Sequence, residues 1–423
     1  MLLKVFVYFS LLTPLLGIIQ VEKGAFAWSV NETGYENGAS LAFISYVLIS
    51  LFSLFIITRG RFFSIRENII IQNKSYCNLR KLYIIVLILN IILSLIFIFV
   101  FGGYQTIIGS VAKGEFRASL GGFGAIAYLI SKWLSPALFA FLCALRLNAP
   151  NSGKMSNSLN QLLFANAFFV FLIGVAWGFK TTAILMLMPG VIILKWNHGA
   201  GIIGKLIIGS FLIVYALFLL FDTTDNSGYT TVLEFLWARV TVLQGDVAWY
   251  LWGRHVDNDL RFNYFWTLSV AIGDSIWSLL TGITRENPEI WVLSHYGSLL
   301  TYAAGYPIEG ILEGHNVTGT PFSEGLIAGG EGGAYFFGLL SGCIIGLVYN
   351  KMTSCLRKGH AINAAVWSCY FVFCVFSWLN GGEIVQLFHI SVFVSMLAAW
   401  LAMKIIISVV NLEKTCNENI EFK

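Results

Sequence analysis

The chain has 423 residues, 57% of them hydrophobic and 11% charged, with a mean hydropathy of +0.77. A soluble domain carries roughly 25% charged residues, so a water-soluble globular protein is excluded. The net charge of +4 is too small to argue for a nucleic-acid partner.

Repeated apolar runs of about 20 residues match the length a helix needs to cross a bilayer core. They must be helices, because hydrocarbon offers backbone groups no other partner. In chain order they predict ten spans, at about 2–21, 39–58, 82–101, 122–145, 161–177, 181–195, 206–221, 333–349, 363–379 and 385–408. The first resembles a secretory signal, but it is long and ends without a small-residue cleavage site, so it is read as a span. An even count puts both termini on one side. That side receives connector 59–81, with Arg59, Arg61, Arg66, Lys74, Arg80 and Lys81, and in all 17 of the 26 basic residues. Of the 22 acidic residues, 18 fall on the other side. Positive charge marks the cytoplasmic face, so both termini are expected to be cytoplasmic and the other face periplasmic, or extracytoplasmic in whatever cell this is. The seven cysteines lie in spans or cytoplasmic connectors, so this topology needs no disulfide. No Cys or His spacing resembles a metal site.

One long outer segment remains, 222–332, lying between two apolar runs. It carries thirteen acidic residues, no lysine and only Arg239, Arg254, Arg261 and Arg285 as cations, for a formal charge of −9. It also holds His255, His295 and His315, half of the histidines. Within it, 231–252 reads as an amphipathic helix with tryptophans at its rim. Residues 263–283 read as a helix on, or dipping into, the membrane surface, because Asp274 near the centre is costly in lipid. The fold class is thus an all-α polytopic membrane protein, one integral domain over 1–423, with 222–332 as a large periplasmic loop carrying interfacial helices.

The residues able to do chemistry concentrate in that loop. Arginine suits a diphosphate, since its planar fork donates paired hydrogen bonds and stays charged. Arg239, inside an apolar amphipathic stretch, and Arg285 are the first candidates for this role. Arg254 is another, with pairing to nearby Asp257 as the plain alternative. Outside the loop, Arg117 in Lys113-Gly114-Glu115-Phe116-Arg117 and Lys180 after Gly178-Phe179 sit at outer turns, within reach of a lipid phosphate; snorkelling to headgroups is the bland reading. Lys132, within the fourth span, is expected to pair with Glu383 or to snorkel. The polar run Gly314-His315-Asn316 to Ser323-Glu324-Gly325 leads into the glycine-dense 328–333. His315 and Glu324 are the candidate bases there: imidazole is matched to proton transfer near neutral pH. A solvated loop histidine and a helix-capping glutamate are the alternatives. No P-loop, dinucleotide fingerprint or nucleophile elbow occurs, and the cytoplasmic connectors are too short to bind a nucleotide sugar.

The pattern of about ten spans, one dominant loop in the second half, Thr320-Pro321-Phe322-Ser323-Glu324-Gly325, Gly329 to Gly332, and then a span bearing Gly338, Gly342, Gly346 and Tyr349 resembles the bacterial oligosaccharide repeat-unit polymerases, the O-antigen polymerase (Wzy-type) family. Gly178-Phe179-Lys180 resembles that family's Gly-x-Arg element with lysine in place of arginine; the paired arginine-rich motifs of some members are absent. The resemblance implies a glycosyltransferase of lipopolysaccharide or other polysaccharide biosynthesis, acting at the periplasmic face of the bacterial inner (cytoplasmic) membrane. Its substrates would be undecaprenyl-diphosphate-linked oligosaccharides in the lipid bilayer, with a chain-length regulator as a further partner and no metal or cofactor. In that reaction Arg239 and Arg285 would hold the diphosphate, Arg117 the second lipid phosphate, and His315 or Glu324 would be the base. The alternatives are an O-antigen ligase, which shares the architecture, and a non-enzymatic flippase or transporter of lipid-linked sugars.

Overall fold

The computed structural model describes residues 2–60, 78–111, 116, 119–148, 154–177, 180–196, 234, 237–238, 240–260, 262–284 and 286–410. The protein is an all-α polytopic membrane protein. Among the described residues, eight helices are long and apolar enough to cross a bilayer: Leu2–Glu22, Ala39–Thr58, Leu79–Val100, Gly124–Leu147, Met155–Ala176, Pro321–Arg357, Ala361–Gly381 and Ile384–Val410. Each overlaps a predicted span. The predicted span 181–195 is the helix Lys180–Leu194, whose 15 residues reach about 22 Å, short of a bilayer core of about 30 Å. The predicted span 206–221 lies outside the described residues.

The chain divides into two compact units. One comprises Met1–Ile65, Gly199–Tyr349 and Cys374–Phe393. In it, the first span passes through a π-turn, Phe6–Leu12, into Thr13–Glu22; Pro14 lies inside this run, beside Thr13, whose Oγ1 donates to Phe9 O at 2.6 Å. A two-residue hairpin, Phe26–Ala27 paired with Glu32–Thr33, follows. The second span starts where Asn37 Oδ1 accepts the Ala39 N–H at 3.0 Å. The connector between these spans is stitched to helix Val242–Val256: Trp249 Nε1 donates to Tyr35 O at 3.0 Å and Trp252 Nε1 to Asn37 O at 3.1 Å. That helix crosses the first span where Gly17 meets Gly245; a Cβ on Gly245 would stand 2.5 Å from Pro14 O. The sequence predicts an amphipathic surface helix here, yet Asp246, Val247, Ala248, Trp249 and Leu251 are buried, because the glycine pair lets two backbones touch.

In the same unit the predicted helix over 263–283 is broken. It runs as Tyr264–Thr267, a 3₁₀ turn Leu268–Ile272, and Asp274–Thr281, with Gly273 at φ +98° between the last two. A side chain at Gly273 would be strained, so the break follows from the glycine, which hydropathy does not report. Helix Pro321–Arg357 starts twelve residues before the predicted span at 333 and is itself two helices, parted at Gly329 and at Gly330 (φ +62°). The pieces fold back so closely that a Cβ on Gly325 would stand 2.5 Å from Ala334 Cα. Further along, Gly338, Gly342 and Gly346 face Ala39–Thr58, the last two against Leu54 N and Ile57, and Tyr46 OH lies 3.1 Å from Ser341 Oγ. This is small-residue packing, the way helices associate in lipid without a hydrophobic drive.

The other unit comprises Arg66–His198, Asn350–Phe373 and Val394–Lys423. A buried amide–hydroxyl network ties its helices: Asn90 Nδ2 donates to Asn166 Oδ1 at 2.9 Å, Ser135 Oγ to Asn90 Oδ1 at 2.9 Å, and Ser94 Oγ to Asn90 O at 2.7 Å. Every member has a partner, as burial in lipid demands. Lys132 lies on a π-turn, Ile130–Leu134, with its ammonium 5.8 Å from the Tyr128 ring and 6.0 Å from the Phe373 ring. Lys180 is the first residue of the helix Lys180–Leu194.

Candidate functional site

Glu324 lies in the first turn of helix Pro321–Arg357, and its carboxylate is fully buried. Thr320 precedes the helix, and its carbonyl accepts the Glu324 N–H at 3.0 Å. The side chain does not cap that helix. It reaches to three distant segments: Tyr264 OH donates to Oε1 at 2.7 Å, Ile384 N–H to Oε1 at 2.9 Å, and Trp378 Nε1 to Oε2 at 2.8 Å. Three donors converge on a group whose ionised form only accepts, which offsets the cost of burying it. Burial, then the Glu324 carboxylate, pushes the Tyr264 phenol far above its ordinary range, so Tyr264 remains the donor. Tyr296, fully buried with its ring 6.1 Å from Tyr264, is raised for the same reasons, and its hydroxyl has no partner among the described residues. The turn 380–384 closes over this cluster because Gly382, at φ +69°, packs on Thr320; a Cβ there would stand 2.6 Å from Thr320 O. Glu383 turns aside to accept from Gln386 Nε2 at 2.6 Å.

A second feature is an open cleft of about 770 Å³, lined by Arg254, Asn258, Asp259, Phe262, Tyr302, Gly305, Tyr306 and Pro307. Arg254, at the C-terminal end of helix Val242–Val256, is held by its own fork. Its Nε donates to Asp259 Oδ2 at 2.8 Å, one terminal nitrogen also binds Asp259, and the other donates to Ala303 O at 2.8 Å. The partner is Asp259 rather than the Asp257 expected from sequence. With its guanidinium already neutralised, Arg254 contributes a planar polar wall to the cleft, not a free cation. Aromatic faces supply the rest: Phe262 and Tyr302 meet edge-on at 6.1 Å.

His315 stands beside this cleft. Its ring stacks on Tyr306, with centroids 6.0 Å apart and planes 24° apart, and its Nδ1 lies 2.9 Å from Gly310 O. A carbonyl only accepts, so Nδ1 carries the proton and Nε2 keeps its lone pair. The side chain is exposed. A lone pair held by an oriented ring and open to solvent is what a general base requires.

The structure thus places Arg254 in the cleft wall and His315 behind another wall residue, Tyr306. No hydrogen bond or ion pair joins either of these described residues to Glu324. Arg117, Arg239 and Arg285 lie outside the described residues, as do Arg261 and the side chain of Lys180. His255 packs over the helix break, where a Cβ on Gly330 would stand 2.6 Å from its Cε1. His295 stacks on Trp291 at 4.2 Å and shares its Nδ1 with Trp291 O at 2.8 Å. Among the described residues no three His, Cys, Asp or Glu side chains gather as a metal-binding group. Sequence reasoning did not find Tyr264, Trp378, Tyr302 or Tyr306. The first two are single aromatics in apolar runs, and only the contact across the fold marks them. Tyr306 sits in a Gly305-Tyr306-Pro307 turn, a signal that an aromatic is being presented on a fixed loop. Compared with protein-family models, curated proteins and solved structures, the chain finds no match.

Proposed function

We propose that this membrane protein polymerises lipid-diphosphate-linked oligosaccharide repeat units by glycosyl transfer at the outer face of a bacterial inner membrane. The observation that carries this reading is the cleft beside His315. It joins aromatic faces, Phe262, Tyr302 and Tyr306, to fixed planar polar groups, Arg254, Asp259 and Asn258. Aromatic rings cover the apolar faces of a sugar, and planar amide, carboxylate and guanidinium groups pair with its hydroxyls. In the proposed reaction the acceptor sugar hydroxyl attacks the anomeric carbon of the donor glycan. The bond from that carbon to the diphosphate oxygen breaks, the diphosphate leaves with the electron pair, and His315 Nε2 takes the hydroxyl proton. His315 is preferred to Glu324 as the base because both Glu324 oxygens are occupied and buried. Arg239, Arg285, Arg117 and Lys180 remain the proposed ligands of the two diphosphates.

The test is the surface polysaccharide of a strain lacking this chain, resolved by length on a gel, with wild type, His315→Ala and Tyr306→Ala returned. Collapse of the ladder to a single repeat unit, restored by wild type only, supports polymerisation. Polymer that accumulates on the carrier lipid without transfer identifies a ligase, and an unchanged ladder overturns both. Transport is a second reading, favoured by one observation: a buried carboxylate, Glu324, on a helix broken at Gly329 and Gly330, since broken helices with buried ionisable groups build transporter sites. Movement of a fluorescent lipid-linked sugar across proteoliposomes of the pure protein would select it.

A further inference from the structure

The segment from Phe262 to Thr284 has two faces that do not match. Inward, Tyr264, Thr267, Val270 and Trp277 are buried, and Trp277 Nε1 donates to Ser269 Oγ at 2.8 Å. Outward, Phe265 is 70% exposed, Leu279 84% and Leu280 71%, with Trp266, Ile272 and Ile276 exposed between them. Six large apolar side chains in sixteen residues are left exposed, at a cost in water. The break at Gly273 determines where this run lies. A Cβ on Gly273 would stand 3.5 Å from Ile390 Cγ2 and 3.8 Å from His389 Cε1, so the ridge abuts the start of helix Ile390–Val410. Exposed apolar residues continue along that helix, from Ile390 and Phe393 to Leu397 and Leu401. The helix belongs to a candidate membrane span, so its exposed face is a lipid face. The only charged residue from 262 to 284 is Asp274, and the segment contains no Lys or Arg.

We infer that residues 265–280 are a bilayer-docking ridge: Phe265, Trp266, Ile272, Ile276, Leu279 and Leu280 enter the headgroup–acyl boundary beside the last span and hold the large loop against the membrane. The occupant is lipid rather than protein because the ridge abuts a lipid-facing helix and its exposed apolar residues are interrupted by one charge only, the exposed Asp274, which can stay at the headgroup level. Such an element binds through apolar area, so it requires no anionic headgroup. The inference does not depend on the enzymatic reading.

The test uses the full chain in phosphatidylcholine nanodiscs, with its native cysteines replaced and an environment-sensitive fluorophore on Leu279→Cys or Leu280→Cys. Lipids carrying a nitroxide near the headgroup end of the acyl chain are the quencher. Quenching at both sites within about twofold of a Leu397→Cys control, and about fivefold or more above an exposed Glu313→Cys control, is expected for side chains at this depth. Quenching no stronger than at Glu313, while Leu397 is quenched, overturns the proposal. A photocrosslinking amino acid at Leu279 in the otherwise native chain tests it without cysteine replacement. Chain–lipid adducts are expected, and adducts of two chains instead would overturn it.

Discussion

The Tyr264 hydroxyl donates a 2.7 Å hydrogen bond to Glu324 Oε1, joining the large loop to the start of a membrane helix 60 residues later. The same carboxylate holds Trp378 and Ile384. It is a polar knot inside an apolar surround.

Removing the knot should therefore cost more than losing one bond. Glu324→Ala leaves two buried donors and one half-buried donor without an acceptor and is expected to destabilise the protein by about 3–5 kcal/mol. Tyr264→Phe removes one donor and leaves two, so about 1–3 kcal/mol is expected. Thermal unfolding of both variants in nanodiscs measures the order. Equal losses would mean that Tyr264 carries the whole effect.

His315 is exposed, so its substitution should spare the fold and remove the reaction. If it is the base, His315→Ala lowers glycan elongation by about 10²- to 10⁴-fold with an unchanged melting temperature. His315→Gln keeps a donor for Gly310 O but has no basic lone pair, and should fail equally. The readout is the elongation rate on lipid-linked repeat units with matched protein amounts. Activity of His315→Gln near wild type would assign the ring an orienting role.

Asp246 gives a pH dependence whose sign follows from its surroundings. Its Oδ2 accepts from Ser29 N at 2.8 Å and its Oδ1 from Val247 N at 2.8 Å. Burial outweighs those bonds and pushes its carboxyl up from 3.8 to about 6. Between those values the unfolded chain has released the proton and the folded chain still holds it, so stability falls as pH rises through this window. The contribution is fully present below about pH 4 and lost above about pH 6, a swing of about 3 kcal/mol. Unfolding at pH 4.5 and 7.5 captures about 2 kcal/mol of it, which Asp246→Asn is expected to remove. A step that survives in Asp246→Asn would belong to another group.

The row of Gly338, Gly342 and Gly346 sets the approach of two spans. A Cβ on Gly342 would overlap the backbone of Ser50 and stand 2.9 Å from Leu54 N. Gly342→Val should separate the helices and cost about 3 kcal/mol or more, as overpacking does at its severe end. Thermal unfolding of Gly342→Val beside Gly342→Ala in nanodiscs measures the loss. An unchanged melting temperature in Gly342→Val would show that the pair adapts.

Hydropathy made most of the fold legible, because in lipid an apolar run of the right length has little choice but to be a helix. The span at 39–58 was readable to the residue, since Asn37-Gly38 and Arg59-Gly60 punctuate it. What hydropathy missed were glycine events. Gly273 breaks a predicted surface helix, Gly329 and Gly330 break a long one, and Gly17 with Gly245 bury a helix expected at the surface. A glycine adds little to a hydropathy sum, yet it alone permits the turn or the close approach. The site was legible only as residue types: Arg254 lines a cleft and His315 stacks on Tyr306 of its wall. Their partners were not, because Asp259, Ala303 and Gly310 are chosen by backbone geometry rather than by any pattern in the sequence.

The break at Gly329 and Gly330 also bears on mechanics. A continuous helix transmits torque along its length, but here the eight residues before the break are joined to the rest through two backbones without side chains. The segment carrying Glu324 is turned there against the membrane-crossing piece, with Gly325 on Gly333 and Ala334 and His255 over Gly330. A side chain at Gly325 or Gly330 would therefore wedge this joint open and pull Glu324 away from Tyr264, Trp378 and Ile384.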